Sequence, residues 1–229
     1  ASDVYKRQDL AGPGHLDRGT QRNQLDLLGK LNAVHLEKRP GGSELASRIQ
    51  TYELAYRMQA EAPQAVDLDE ESVEMKEAYG VGKRPTDEFG RNCLVARRLV
   101  ERGVRFVQLY SGGGHLEETW DAHESIEKNH GQHGAEVDQP IAALLGDLEQ
   151  RGLLDETLVV WGGEFGRMPF SEGKGAPGRN HNPYGFSMWL AGAGIKGGIS
   201  YGETDEFGFN AAVDRVHVHD IHATILHLM

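Results

Sequence analysis

Cysteine is nearly absent. Cys93 is the only one in 229 residues, so no disulfide can form within the chain. It sits in "RNCLVARRLV", on the apolar side of a helical pattern, and reads as a small buried hydrophobe, not a catalytic thiol. Positive charge is also short. Lys and Arg number 24 against 35 Asp and Glu, a net charge of −11, and this excludes the broad basic surface that non-specific nucleic-acid binding needs. Apolar runs are short, and none approaches the roughly 20 residues of a membrane-spanning helix. Internal repeats, low-complexity tracts, a Walker A sequence and a GxSxG elbow are all missing. The glycines of "GAGIKGGISYG" lack the strand–GxGxxG–helix order of a dinucleotide site.

What is present is the composition of an ordinary globular protein, long enough for one large α/β domain or two small ones. No secretory leader is visible. The first eight residues, "ASDVYKRQ", read as a remnant foreign to the fold. The last stretch, "HDIHATILHLM", breaks off inside a helical pattern, so the chain reads as an internal piece of a longer protein.

Helical spacing marks "QRNQLDLLGKLNAVHLEK", followed by Pro40, Gly41 and Gly42. Ser43 is placed to cap a second helix that stops before Pro63, with Leu45, Ile49, Tyr52, Tyr56 and Met58 as its core stripe. A short acidic helix after an Asp cap lies within "DLDEESVEMKEAYG". Residues 9–85 thus form a helical region that packs on a core at 86–229. That core opens with a helix from Thr86 to about Gly103, and strands are expected at 104–110, 156–161 and 187–192. Between the first two strands lies a helix in "HGAEVDQPIAALLGDLEQRG", whose start or kink Pro140 marks. The alternation implies a largely parallel sheet covered by helices.

In such sheets ligands bind beyond the carboxyl ends of the strands. Two polar loops fall there. One holds Asp121 and His123. The other is "WGGEFGRMPFSEGKGAPGRNHNPYGF", with Glu164, Arg167, Arg179 and His181. Carboxylates and imidazoles converging from separate loops can bind a divalent metal, and arginine forks suit a tetrahedral oxyanion. Each residue also has a plainer reading. Asp121 can cap the following helix, His123 and His181 can be solvated loop histidines, Glu164 can belong to a turn, and Arg167 can be an ion-pair partner. His217, His219 and His222 read as packing and capping residues of a last helix. His115, His130 and His133 read as loop residues or residues at a helix start.

Several segments together resemble domain-of-unknown-function family 1501: "LVARRLVERGVRFVQLY", "WDAHE", "GLLDETLVVWGGEFGRMP", "GRNHNP", "WLAGAGIKGGISYGETDE" and "VHDIHATILH". The resemblance spans about residues 10–229. It implies sulfatase-like proteins of the alkaline phosphatase and sulfatase superfamily, with a three-layer α/β/α sandwich and a mostly parallel sheet. It implies metal ligands at Asp121, His123, Glu164 and His181, and catalytic roles for Arg167 and Arg179 toward a substrate anion. It further implies a divalent ion of the Zn, Ca, Mg or Mn kind as cofactor and a small anionic ester or sulfated glycan as substrate, and no nucleic-acid partner is expected. Two departures stand out: Phe165 takes the place of a second pair's His, and Asn180 stands where relatives commonly carry Asp. The nucleophile falls upstream of this stretch, and an exported location is implied. The alternative is a catalytically silent metal- or glycan-binding relative.

Overall fold

The computed structural model describes residues 16–37, 43–112, 119–171 and 177–229. The "ASDVYKRQ" segment and His115 lie outside them, as do the side chains of Ser43 and Met58. Ala1–Glu70 and Glu71–Met229 form two compact units.

In the first unit α1 spans Arg18–Glu37 and α2 spans Ser43–Val66. Asp17 opens α1, taking the Thr20 amide at 2.9 Å and the Thr20 hydroxyl at 2.6 Å. Arg22 joins the helices, donating to Glu53 of α2 at 2.8 and 2.6 Å. Tyr56 lies beneath Arg18 and Arg22, its ring centroid 5.4 and 5.1 Å from the two guanidinium carbons. Two expectations are corrected here. Helix α2 does not stop before Pro63 but carries it inside. Tyr52 is not a core residue, being 62 % exposed, whereas Leu45, Ile49 and Tyr56 are half-buried.

The second unit is built on α3 (Val73–Ala78), α4 (Asp87–Glu101) and α5 (Ile126–Gln150). Ser72, not an aspartate, caps α3, accepting from the Met75 amide at 3.1 Å. Gly90 lets α4 approach the end of α3, because a Cβ there would overlap the carbonyl of Tyr79. Helix α4 buries Cys93, Leu94 and Arg97, and α5 buries His133, Val137, Pro140 and Leu148. Helical spacing sets both stripes. Burial pushes the Cys93 thiol up to about 12.

An ion network ties these helices together. Arg97 is 2 % exposed and meets Glu71 at 2.7 Å, Glu101 at 2.8 Å and Asp147 at 2.9 Å. Its Nε and Nη2 face Asp147 and Glu71 at ion-pair distance without the alignment of a hydrogen bond. Arg98 also binds Glu71, Arg151 binds Asp147 at 2.6 Å, and the Tyr79 hydroxyl donates to Asp147 at 3.0 Å. Arg97 and Arg98, near the end of α4, therefore fill a buried charge cluster.

The expected three-layer α/β/α sandwich with a mostly parallel sheet is overturned. Among the described residues the strands form three two-stranded antiparallel sheets: β1 (Val159–Trp161) with β4 (Trp189–Ala191), β2 (Gly166–Arg167) with β3 (His181–Asn182), and β5 (Glu203–Thr204) with β6 (Ala211–Val213). Residues 104–110 are not a strand; they carry no ladder bonds, and Phe106 and Tyr110 are 68 % and 66 % exposed. The physical reason lies between β1 and β4. A parallel return needs a crossover, usually helical. Among the described residues no helix lies between Trp161 and Trp189. The chain runs out through β2, returns through β3, and enters β4 antiparallel to β1. A last helix, α6 (Val218–Leu228), starts at a capping box in which His217 accepts from the His219 amide and Asp220 accepts from the His217 amide.

Two outcomes are expected. Burial alone would raise the Glu71 carboxyl, but Arg98 and Arg97 outweigh it and hold the group below its ordinary value. Ionised Glu71 therefore contributes stability that is complete above the unfolded carboxylate value and is lost as the pH falls through it towards the folded one. Glu71→Gln is expected to cost on the order of 2 kcal/mol at pH 7. Urea unfolding should show this gap closing below about pH 4; an equal gap at both pH values would refute the account. Cys93 should resist thiol labelling in the folded chain and react at the rate of global unfolding.

Candidate metal centre

Asp121, His123 and His181 come from two loops that meet backbone to backbone. The Arg179 amide donates to the Ala122 carbonyl at 3.0 Å, and the Ile126 amide donates to the Pro177 carbonyl at 3.1 Å. Between these bonds lies Gly178, where a Cβ would overlap the carbonyl carbon and oxygen of His123. Only glycine allows this approach. The register of β2 with β3 then sets Arg167 opposite His181.

The first loop is also held from behind by α5. The Asn129 side chain donates to the Thr119 carbonyl at 2.9 Å, and the His130 ring meets the Trp120 carbonyl at 3.3 Å. The Trp120 ring packs on His133, centroids 5.3 Å apart, and its Nε1 donates to Ser111 at 3.0 Å. His133, 2 % exposed, is further held by Glu136 at 2.8 Å. These contacts clamp residues 119–121 against the start of α5. His130 and His133 thus lie within α5 and support the loop. Their spacing to Val137 and Pro140 was the readable signal for a buried helical stripe.

At the centre, His181 Nε2 lies 2.9 Å from Asp121 Oδ1, His123 Nε2 lies 3.2 Å from the same oxygen, and the two Nε2 atoms are 3.2 Å apart. Two imidazole nitrogens and a carboxylate oxygen thus form a small triangle. Lone pairs face one another at such distances only with a proton or a cation between them. Three ligands of a tetrahedral ion, each about 2.0–2.1 Å from it, stand roughly 3.3 Å apart. The triangle is close to that size, and two His with one carboxylate is a familiar donor set for divalent metals. The three residues can hold a metal ion.

Arg167 donates from Nη1 to Asp121 and lies 3.7 Å from Glu164. Burial opposes ionisation of Asp121, but the bonds from His181 and Arg167, with the positive charge of Arg167, hold its carboxyl below the usual range. Phe165 packs against the His181 ring, centroids 4.3 Å apart, and lies under Arg167 at 5.5 Å. The His181 amide donates to Asn180 Oδ1 at 2.8 Å, which turns the position of the second departure into a brace for the loop.

Of the six residues singled out in the sequence, the structure brings Asp121, His123, His181 and Arg167 together. Glu164 is 64 % exposed and is not part of the triangle; its short link runs to Arg167. Arg179 donates to Ser171 at 3.1 Å and to the Gly178 carbonyl at 2.9 Å, and so braces the second loop.

The chain belongs to the family described as "Protein of unknown function (DUF1501)", whose model matches residues 2–229. No curated protein and no solved structure matches the chain.

Gly178→Ala should force the loops apart at a cost of about 1–3 kcal/mol. The expected readout is zinc affinity weakened at least about tenfold, with helical circular dichroism retained. Unchanged affinity would show that the close approach at Gly178 does not set the triangle.

Proposed function

We propose that this chain is part of a metal-dependent hydrolase of sulfate or phosphate esters, with Asp121, His123 and His181 holding a divalent cation. The observation that carries the reading is the Nε2–Nε2–Oδ1 triangle, assembled from residues 58 and 60 positions apart. A bound cation would supply Lewis-acid polarisation of an ester oxygen and lower the pKa of a water or hydroxyl nucleophile. The side chains have separate parts. Asp121 neutralises part of the cation's charge, while the imidazoles contribute neutral nitrogens. Three protein ligands leave a position for substrate, the pattern of catalytic sites as opposed to closed structural ones.

Arg167 sits at the edge of this centre with a guanidinium fork suited to paired anionic oxygens. In the present geometry it binds Asp121. An arriving sulfate or phosphate group would draw it outward, offsetting charge as the ester bond breaks. Phe165 keeps the His181 ring in place and gives that flank an apolar wall. Arg179, one residue beyond the loop contact, is the second cation proposed to face the anion. The exported location implied by the family resemblance suits an extracellular sulfated glycan or phosphate ester.

A second reading has an observation in its favour. Because Arg167 already occupies the Asp121 carboxylate, a catalytically silent relative could bind metal or glycan without turning over an ester. The two readings separate by experiment. Purified chain exposed to zinc, manganese, calcium and magnesium is assayed for bound metal by mass spectrometry and for hydrolysis of nitrophenyl phosphate and nitrophenyl sulfate. About one equivalent of metal is expected, and its loss in a His123→Ala, His181→Ala double variant. Equal metal in both proteins, with the fold intact, would sink the proposal. Metal bound without hydrolysis, also in the full-length protein, would favour the silent reading.

A further inference from the structure

A second polar site lies beyond the triangle. An open cavity of about 460 Å³ is lined by Tyr184, Asp205, Asn210, Arg215 and His217, together with Ala211 and Ala212 of β6. It is open to solvent, and Tyr184, Asn210, Arg215 and His217 on its walls are exposed. Its charged groups are not equivalent. Asp205 Oδ1 accepts from the amides of Phe207 at 3.2 Å and Phe209 at 2.8 Å. Its Oδ2 accepts from the Asn210 amide and side chain, both at 2.9 Å. A carboxylate offers about four lone-pair positions. All four are taken, so Asp205 shapes the 205–210 loop and has nothing left for a cation. The bond from the Phe209 amide, followed by that from the Asn210 side chain, keeps it ionised below the usual carboxylate range.

Arg215 is the opposite case. Among the described residues its guanidinium has no hydrogen-bond or ion-pair partner. His217 Nδ1 accepts from the His219 amide at 3.2 Å, so in the neutral ring the proton sits on Nε2, which is a free donor. Tyr184 is 64 % exposed and adds a hydroxyl. Arg215, His217 Nε2 and the Tyr184 hydroxyl can each donate into this space, and Arg215 carries a fixed positive charge.

We infer that this cavity binds the acidic group of a small organic ligand, a carboxylate or a sulfate, through Arg215, His217 and Tyr184. The site is separate from the metal triangle yet mechanically joined to it. Asn182, fully buried and next to His181, donates to the Phe209 carbonyl at 2.8 Å and accepts from the Tyr184 amide at 3.1 Å. The Ala211 amide donates to the Tyr184 carbonyl at 2.7 Å. One short segment therefore carries a ligand of the triangle at His181 and a wall of the cavity at Tyr184. Three residues of extended chain span at most about 10 Å. Where the hydrolase reading holds, the cavity grips a remote acidic group of the substrate while the ester lies at the triangle; this last clause rests on that reading, and the binding site itself does not.

The test uses glucuronate, glucose 6-sulfate and unmodified glucose as probes, titrated into the chain by nuclear magnetic resonance. Three proteins are compared: the parent, Arg215→Gln, and the His123→Ala, His181→Ala double variant. At least one acidic probe is expected to bind tenfold or more tightly than glucose. Arg215→Gln should abolish that preference, and the double variant should retain it. Whichever acidic probe wins tells carboxylate from sulfate. Binding of no probe, equal binding of glucose, or an unaltered preference in Arg215→Gln overturns the inference. Loss of binding in the double variant alone also overturns it, and assigns the anion to the triangle. Failure of the metal assay with the acidic preference intact leaves this site standing and removes only the hydrolase reading.

Discussion

The contact between Gly178 and the backbone of His123 is the constraint on which the site depends. Backbone can approach backbone this closely only where a side chain is missing, and the bonds on either side, Arg179 to Ala122 and Ile126 to Pro177, fix the register of the two loops. Once they are in register, His123 and His181 face each other and Asp121 completes the triangle. The glycine-rich character of the 161–186 loop thus has a geometric reason at one position at least. Polar residues supply the donors, and the missing Cβ at residue 178 lets the donors meet.

Behind that contact stand two layers of support with different physics. Trp120 packs on His133 of α5, and side chains of α5 hold the carbonyls of Thr119 and Trp120, so the first loop inherits the rigidity of a long helix. Helix α5 is in turn fastened to α4 by the Arg97, Asp147 and Arg151 cluster. Removing one partner of a buried ion pair leaves a charge stranded out of water, which is why such clusters are sensitive to single substitutions even when their net contribution is small. The support runs from a charge cluster through a helix to a loop, and ends at a carboxylate whose own ionisation is secured by His181 and Arg167.

The chemistry was more legible in the sequence than the fold that delivers it. Residue types in "WDAHE" and "GRNHNP" pointed to metal ligation, and Asp121, His123 and His181 do converge. A parallel sheet would bring them together through loops leaving neighbouring strands at one edge. The observed route is an antiparallel β2–β3 pair and a glycine contact. Glu164 shares the second loop, but spacing along a chain says nothing about which way an exposed side chain turns, and it faces Arg167. The support from Trp120 and His133 is not legible in the sequence, since His133 reads equally as a residue at a helix start or as part of a buried stripe with Val137 and Pro140.

Local signals decided what they could decide alone. Helical periodicity placed α1, α4 and α6, the lone Cys93 landed on the buried face of α4, and the donor types of the site were readable one by one. Those features depend on interactions within a few residues, which the sequence contains in full. Strand direction, the reach of α2 past Pro63 and the exposure of residues 104–110 depend on what lies across from them. The same "VRFVQLY" suits a strand wherever a partner offers ladder bonds and stays without them where none is at hand. Tertiary structure alone decided that β1 meets β4 antiparallel, with no crossover helix among the described residues between them. It alone decided that two loops close on Gly178, because that contact is a property of space between residues more than fifty positions apart.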